Sequence, residues 1–172
     1  PDHAYDANIT VFNDGTIAEF RSGSENINSE EQFWQYRLPQ LENRTDDINY
    51  IYNQARSLAG NDNSIWSYIN LDKIGIFGHS FGGATCIMTA HSNPAIDAVF
   101  LLDAWTLPVP QNVIDSGLNV PIIFMGQDNW KNPMNIVKLD TLLAKSKHQA
   151  DKVILKNVHH FDFSDTPHFT KL

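Results

Sequence analysis

Four short apolar runs, at 74–77, 98–102, 121–125 and 152–155, alternate with segments of helical periodicity at 82–91, near 110–116 and at 133–147. No other feature of the sequence limits the fold so strongly. Strands that alternate with helices build βαβ units, whose parallel strands are covered by the crossover helices. The expected fold is α/β, a mostly parallel sheet with helices on both faces. In such sheets chemistry gathers just beyond the carboxyl ends of the strands.

The first third of the chain reads differently. Residues 8–12 (NITVF) form a short strand, Asn13-Asp14-Gly15 a turn, and residues 17–20 a partner strand. Residues 22–32 are polar and read as a surface loop. From 31 to 59 the apolar positions recur at helical spacing, interrupted at Pro39, with Thr45 the expected N-cap of the later part and Gly60 its stop. The stretch GNDNS follows as a loop. At 172 residues this is one domain. Residues 1–60 hold the hairpin and helices, and residues 61–172 the βα units.

Composition excludes several functions. A formal charge of −8 argues against nucleic acid, whose phosphates demand clustered Lys and Arg. No apolar run reaches the length of a membrane-spanning helix. The single Cys86 rules out an internal disulfide framework and a Cys-rich zinc site. As a small apolar residue it packs in the helix after residue 80. The sequons Asn8-Ile9-Thr10 and Asn43-Arg44-Thr45 fit a secreted, extracellular protein.

Beyond the first of the four runs stands Gly78-His79-Ser80-Phe81-Gly82, a G-x-S-x-G with a strand before it and a helix after. A strand that turns straight into a helix strains its central residue, and only minimal neighbours let the backbone pass. Gly78 and Gly82 supply that room, and Gly83-Ala84 brings the helix close to the sheet. Ser80 then stands at a helix N-terminus, where the dipole favours developing negative charge.

Each later strand end adds a group that a serine nucleophile needs. A hydroxyl requires a base in hydrogen-bond reach, and the base requires a carboxylate to fix its tautomer. Asp103 follows the second run and Asp128 the third; His159 and His160 follow the fourth. The chain order Ser…Asp…His is that of the α/β-hydrolase arrangement, with either acid and either histidine still open. A metal site at the histidines, with Asp162 or His168, is disfavoured because zinc spacing is poor and no HExxH occurs. Arg44 and Asp47, three apart on a helix, read as a solvated pair.

The stretches GHSFGGAT, LLDAW and HHFDFSD, with DHAYDA at the start, resemble the secreted platelet-activating factor acetylhydrolases (lipoprotein-associated phospholipases) and their microbial relatives. The resemblance runs over nearly the whole chain. It implies an α/β-hydrolase core with Ser80 as nucleophile and Asp103, not Asp128, as the acid. Aligning Phe161, Phe163 and Asp165 with the family's histidine stretch implies His160 as the base, His159 standing where relatives carry a small residue. His3 falls near the active-site edge by family position. The implied activity is calcium-independent hydrolysis of short or oxidised sn-2 acyl chains of phospholipids, with no cofactor. A broader carboxylesterase or polyester hydrolase, or a catalytically idle binding module, are the competing readings.

An oxyanion hole needs two donors. One is the backbone N–H of Phe81, and the other comes from a strand-to-helix loop that this sequence does not contain upstream of Ser80. The opening PDHAYDANITVF begins without Met and reads as entry into a fold already under way. The expectation is a partial domain lacking N-terminal strands and oxyanion loop, with a complementing N-terminal segment of the same precursor as partner. Trp105, Leu107 and Phe161, with Phe81 and Phe163, flank the motifs and are candidate walls of an acyl pocket.

Overall fold

The computed structural model describes residues 3–5, 7–21, 27–59, 65–165 and 168. Strands β1 (Ile9–Val11) and β2 (Ile17–Glu19) pair antiparallel as the expected hairpin. Its turn is closed by Asp14, whose carboxylate accepts from the Thr16 N–H at 2.9 Å and hydroxyl at 2.7 Å. Gly15 takes φ +83° there, a conformation that costs other residues.

One helix, α1 (Glu30–Leu58), replaces the two expected segments. Ser29 caps it by accepting from Gln32 N–H at 3.2 Å, with Glu30 and Glu31 in the first turn where carboxylates suit the dipole. Pro39 lies inside the helix and removes a single backbone donor without ending it. Thr45 is therefore not a cap. Its hydroxyl donates to the Leu41 carbonyl one turn back at 2.9 Å, the local bond that lets Thr sit in a helix interior. Helix α1 ends at Leu58, and Gly60 and the GNDNS loop lie outside the described residues.

The four apolar runs become β3 (Gly75–His79), β4 (Ala98–Leu102), β5 (Ile122–Gln127) and β6 (Ala150–Leu155). All pair in parallel, in chain order β3-β4-β5-β6. The connecting helices are α2 (Phe81–Ser92), α3 (Gln111–Ser116) and α4 (Pro133–Lys145). Register aligns Ile76, Val99, Ile122 and Ala150 on one sheet face, with Leu101 beside Phe124 on the next rung. This face packs against Ala84 and Ile87 of α2, Ile114 of α3, and Leu139 and Leu142 of α4 to make the core.

Helix cover on both faces is not what the described residues show. Parallel crossovers are right-handed, so strands laid down always toward the same edge put their helices on one face. On the other face Phe77 is 73% exposed and Ile123 46%. Helix α1 packs on α2, outside the sheet.

Candidate active site

The sharp turn expected at Ser80 is present. β3 ends at His79, α2 begins at Phe81, and Ser80 between them adopts φ 55°, ψ −117°. Such a backbone costs about 1–3 kcal/mol and persists only where its surroundings over-determine it. Here the Ser80 N–H donates to the Leu102 carbonyl at 3.0 Å, and the Ser80 carbonyl accepts from Gly83 N–H at 3.0 Å and Trp105 N–H at 2.9 Å. A side chain at Gly78 would overlap the Gly82 carbonyl, and one at Gly83 would overlap Ala104. The small residues are a steric requirement of the turn. The N–H of Phe81 opens α2 and is among the helix's first donors, which have no partner within the helix.

Asp103 follows β4 with φ 41° and no exposed surface. Its buried carboxylate is met by four donors. His160 Nδ1 lies 2.6 Å from Oδ2, Gln127 Nε2 donates to Oδ2 at 2.7 Å, and Oδ1 accepts from Gln127 N–H at 3.0 Å and Trp130 Nε1–H at 2.9 Å. Burial pushes this carboxyl up, but the bonds from His160, Gln127 and Trp130 outweigh it and hold the group below the ordinary carboxylate range. Asp128, the other acid considered, is exposed one residue past β5.

His160 starts a short 3-10 turn (His160–Phe163) beyond β6. Its Nε2 lies 2.8 Å from Ser80 Oγ while Nδ1 faces Asp103. A carboxylate only accepts, so Nδ1 carries the proton and Nε2 accepts from the Ser80 hydroxyl. The structure thus brings together Ser80, His160 and Asp103 from three separate strand ends. His159 stands apart from Ser80, with its side chain 88% exposed and Nδ1 3.6 Å from Asp162.

The aromatic candidates divide. Trp105 packs against Phe33, Trp34 and Phe81 at ring-centroid distances of 6.1, 6.0 and 5.5 Å. Leu107 is half-buried, its carbonyl accepting from Lys138 Nζ at 3.0 Å. Phe163 faces the His79 ring at 6.3 Å. Phe161, 52% exposed, borders a cavity of about 400 Å³ beside His160. Arg44 and Asp47 do not pair as expected: Asp47 sits 2.6 Å from His3 Nδ1, and the Arg44 guanidinium lies 4.7 Å over the Phe81 ring.

Sequence reasoning passed over the supports of this site. Gln127 and Trp130 carry no motif, yet both hold Asp103. Asn135, fully buried on α4, accepts from Thr106 N–H at 2.7 Å and donates to the Ala104 carbonyl at 3.0 Å, so it clamps the backbone on both sides of Trp105. A polar residue on the inward stripe of α4 was the one available signal. His79 lies inside the motif itself and bonds to the His160 backbone.

A sheet of this order, turning at Ser80 into α2, has the fold of the α/β-hydrolases. Solved structures bear this out: a ferulic acid esterase from Streptomyces cinnamoneus superposes with a TM-score of 0.75 and 21% identity, covering 99% of this chain and 45% of that one. A dienelactone hydrolase from Anabaena variabilis follows at TM-score 0.51 and 16% identity, over 77% of this chain and 58% of that one.

Within that fold the chain belongs to the family described as platelet-activating factor acetylhydrolase, isoform II, whose model matches residues 41–171. It is 34% identical over 91 residues to the platelet-activating factor acetylhydrolase of Bos taurus and 33% identical over 97 residues to that of Canis lupus familiaris. These matches take in 53% and 56% of this chain but only 20% and 21% of the relatives.

Proposed function

We propose that this chain carries the catalytic centre of a serine carboxylic ester hydrolase, acting on short or oxidised acyl esters of phospholipids. The observation that carries the proposal is the unbroken hydrogen-bonded path from Ser80 Oγ through His160 to Asp103. The family match and the names of its relatives, platelet-activating factor acetylhydrolases, support the substrate class.

In this reading His160 Nε2 takes the Ser80 proton as Oγ attacks the ester carbonyl. Asp103 stabilises the resulting imidazolium without itself being protonated. The N–H of Phe81 receives the developing oxyanion, aided by the N-terminal end of α2. A complementing N-terminal segment of the same precursor supplies the second donor, each donor of this kind being worth about 2.7–4 kcal/mol in the barrier. His160 then passes its proton to the departing alcohol, and water releases the acid by the reverse path. Asn8 and Asn43, the acceptor residues of the two sequons, are exposed, which suits a secreted setting.

The test is intact-mass analysis after treatment with a fluorophosphonate, beside Ser80→Ala. One adduct, absent in the variant, is the expected result. A folded protein that takes up none, even with the complementing N-terminal segment added, sinks the proposal.

A further inference from the structure

The packed stripe of α1 carries two arginines. Arg37, Leu41, Arg44 and Ile48 recur at helical spacing, with Leu41 2% exposed in the core and both arginines partly buried. Charged side chains seldom enter such a stripe. Here the guanidinium groups meet rings. Arg37 Cζ lies 5.7 Å from the centroid of Phe33, 5.4 Å from Tyr36, 5.7 Å from Phe81 and 6.0 Å from Trp105. Arg44 Cζ stands 4.7 Å over Phe81. Phe81 is therefore the ring that both arginines share, and it is 8% exposed, with Trp105 packed on it at 5.5 Å.

Packing alone does not account for charge at this place. Arg37 Nη1 donates to Gln40 at 2.9 Å, but its Nε is buried without a hydrogen-bond partner, a costly state for a charged donor. Phe81 is also the first residue of α2, an end at which the helix dipole disfavours cations.

We infer that Arg37 and Arg44 clamp Phe81 through cation–π contacts and so fix the backbone N–H that faces the developing oxyanion. The inference rests on the acyl-transfer reading above, in which that N–H is the oxyanion donor. A cation within about 6 Å of a ring centroid is attracted to the ring face, and more strongly where water is excluded. Ring and N–H belong to one residue, so a ring held from α1 limits rotation of the peptide between Ser80 and Phe81. That restraint serves catalysis because an oxyanion donor must already be aimed at the place where charge develops. Both arginines act through Phe81, which makes them positioning residues.

The experiment compares Arg44→Met, which keeps length and apolar contact but no charge, with Arg44→Lys, which keeps a cation. On a soluble short-chain ester, Arg44→Met should lower kcat about tenfold, the scale of a slightly misaimed donor. KM should change by less than about twofold, since the oxyanion forms only in the transition state. Arg44→Lys should recover most of the loss. Full activity in Arg44→Met, a loss confined to KM, or equal losses in the two variants would overturn the inference. Should Arg44→Met fail to fold, Arg37→Met takes its place, because its Nε has no hydrogen-bond partner to strand.

Nuclear magnetic resonance reads the clamp without turnover. With isotopically labelled phenylalanine, the Phe81 amide should give a sharp, ordered signal in wild type and Arg44→Lys and a broadened one in Arg44→Met. That pattern supports the clamp even if the chain hydrolyses nothing. An amide equally ordered in all three proteins refutes it while leaving the hydrolase reading to the fluorophosphonate test.

Discussion

His79 Nε2 lies 2.8 Å from the backbone carbonyl of His160, so the residue before the nucleophile holds the main chain of the proposed base. A carbonyl only accepts, and Nε2 must therefore carry a proton. The His79 and His160 rings stand 4.6 Å apart, and Phe163 stacks against His79 at 6.3 Å. Neither the hydrogen bond nor the ring contact touches a substrate, which makes His79 a positioning residue. Replacing it with Phe keeps a ring but removes the donor. On this geometry kcat falls about 10- to 100-fold with little change in KM, the scale on which small misplacements act. His79→Gln, which retains an N–H, recovers part of the loss. Equal kcat in wild type and His79→Phe, measured by steady-state kinetics on a soluble ester, would refute the positioning role.

The same pair shapes stability against acid. Burial pushes His79 below its ordinary value of 6.5, and the neighbouring His160 adds to this, more than the bond to the His160 carbonyl and the charge of Asp103 offset. A histidine with a lowered folded pKa contributes stability that is complete above about pH 6.5 and erodes as pH falls through its folded value. Asp103, also lowered, contributes stability that is complete above about pH 4 and is lost on further acidification. Thermal unfolding followed from pH 8 to 3 should show two stages of decline. The gap in Tm between wild type and His79→Phe narrows below about pH 6.5, and that between wild type and Asp103→Asn below about pH 4. Gaps that stay constant across those windows would contradict the assignments.

Where the sequence was legible, local rules and tertiary structure agree. The strand-turn-helix at Ser80 shows because Gly78 and Gly83 sit where any Cβ would collide with backbone or with Ala104. The order of β3 to β6 shows because buried parallel strands read as apolar runs. Thr45 misled because Thr suits both a cap and a back-bonded helix interior, and nothing local separates the two. The uncovered sheet face could not be read either, since strand composition is the same whether one face or both are covered. Gln127, Trp130 and His79 were missed for a different reason. Their partners lie 24 to 81 residues away, and spacing in sequence carries no trace of such bonds.

Asn135 ties α4 to the segment after β4. Besides the bonds to Thr106 N–H and the Ala104 carbonyl, its backbone carbonyl accepts from the Thr106 hydroxyl at 2.7 Å. Ala at this position would leave a buried donor and a buried acceptor without partners, each costing about 1–3 kcal/mol. Asn135→Ala should accordingly lose about 2–4 kcal/mol in denaturant unfolding. It should also loosen Trp105, visible as a changed tryptophan emission before unfolding begins. A loss under about 0.5 kcal/mol, the range of ordinary surface changes, would mean water replaces the amide and the clamp is not structural.

Cys86 tests the packing of α2 from the opposite side. It is 7% exposed and borders a cavity of about 260 Å³ between α1, α2 and β3. A small reagent therefore has a route toward the sulfur, and chemistry rather than access limits reaction. Burial pushes the thiol up to about 12. Only the thiolate is nucleophilic, so at pH 8 roughly one molecule in ten thousand is in the reactive form, against about a quarter for a free cysteine. Alkylation by iodoacetamide at pH 8 should thus proceed far more slowly in the folded chain than in denaturant. The rate in the folded chain should rise about tenfold for each pH unit up to the limit of stability, as expected for a thiol titrating well above the assay. Prompt labelling at neutral pH would show that α2 opens readily, and with it the turn that carries Ser80. Slow labelling with that pH slope would show that burial holds the thiol protonated, so that it has no part in nucleophilic chemistry.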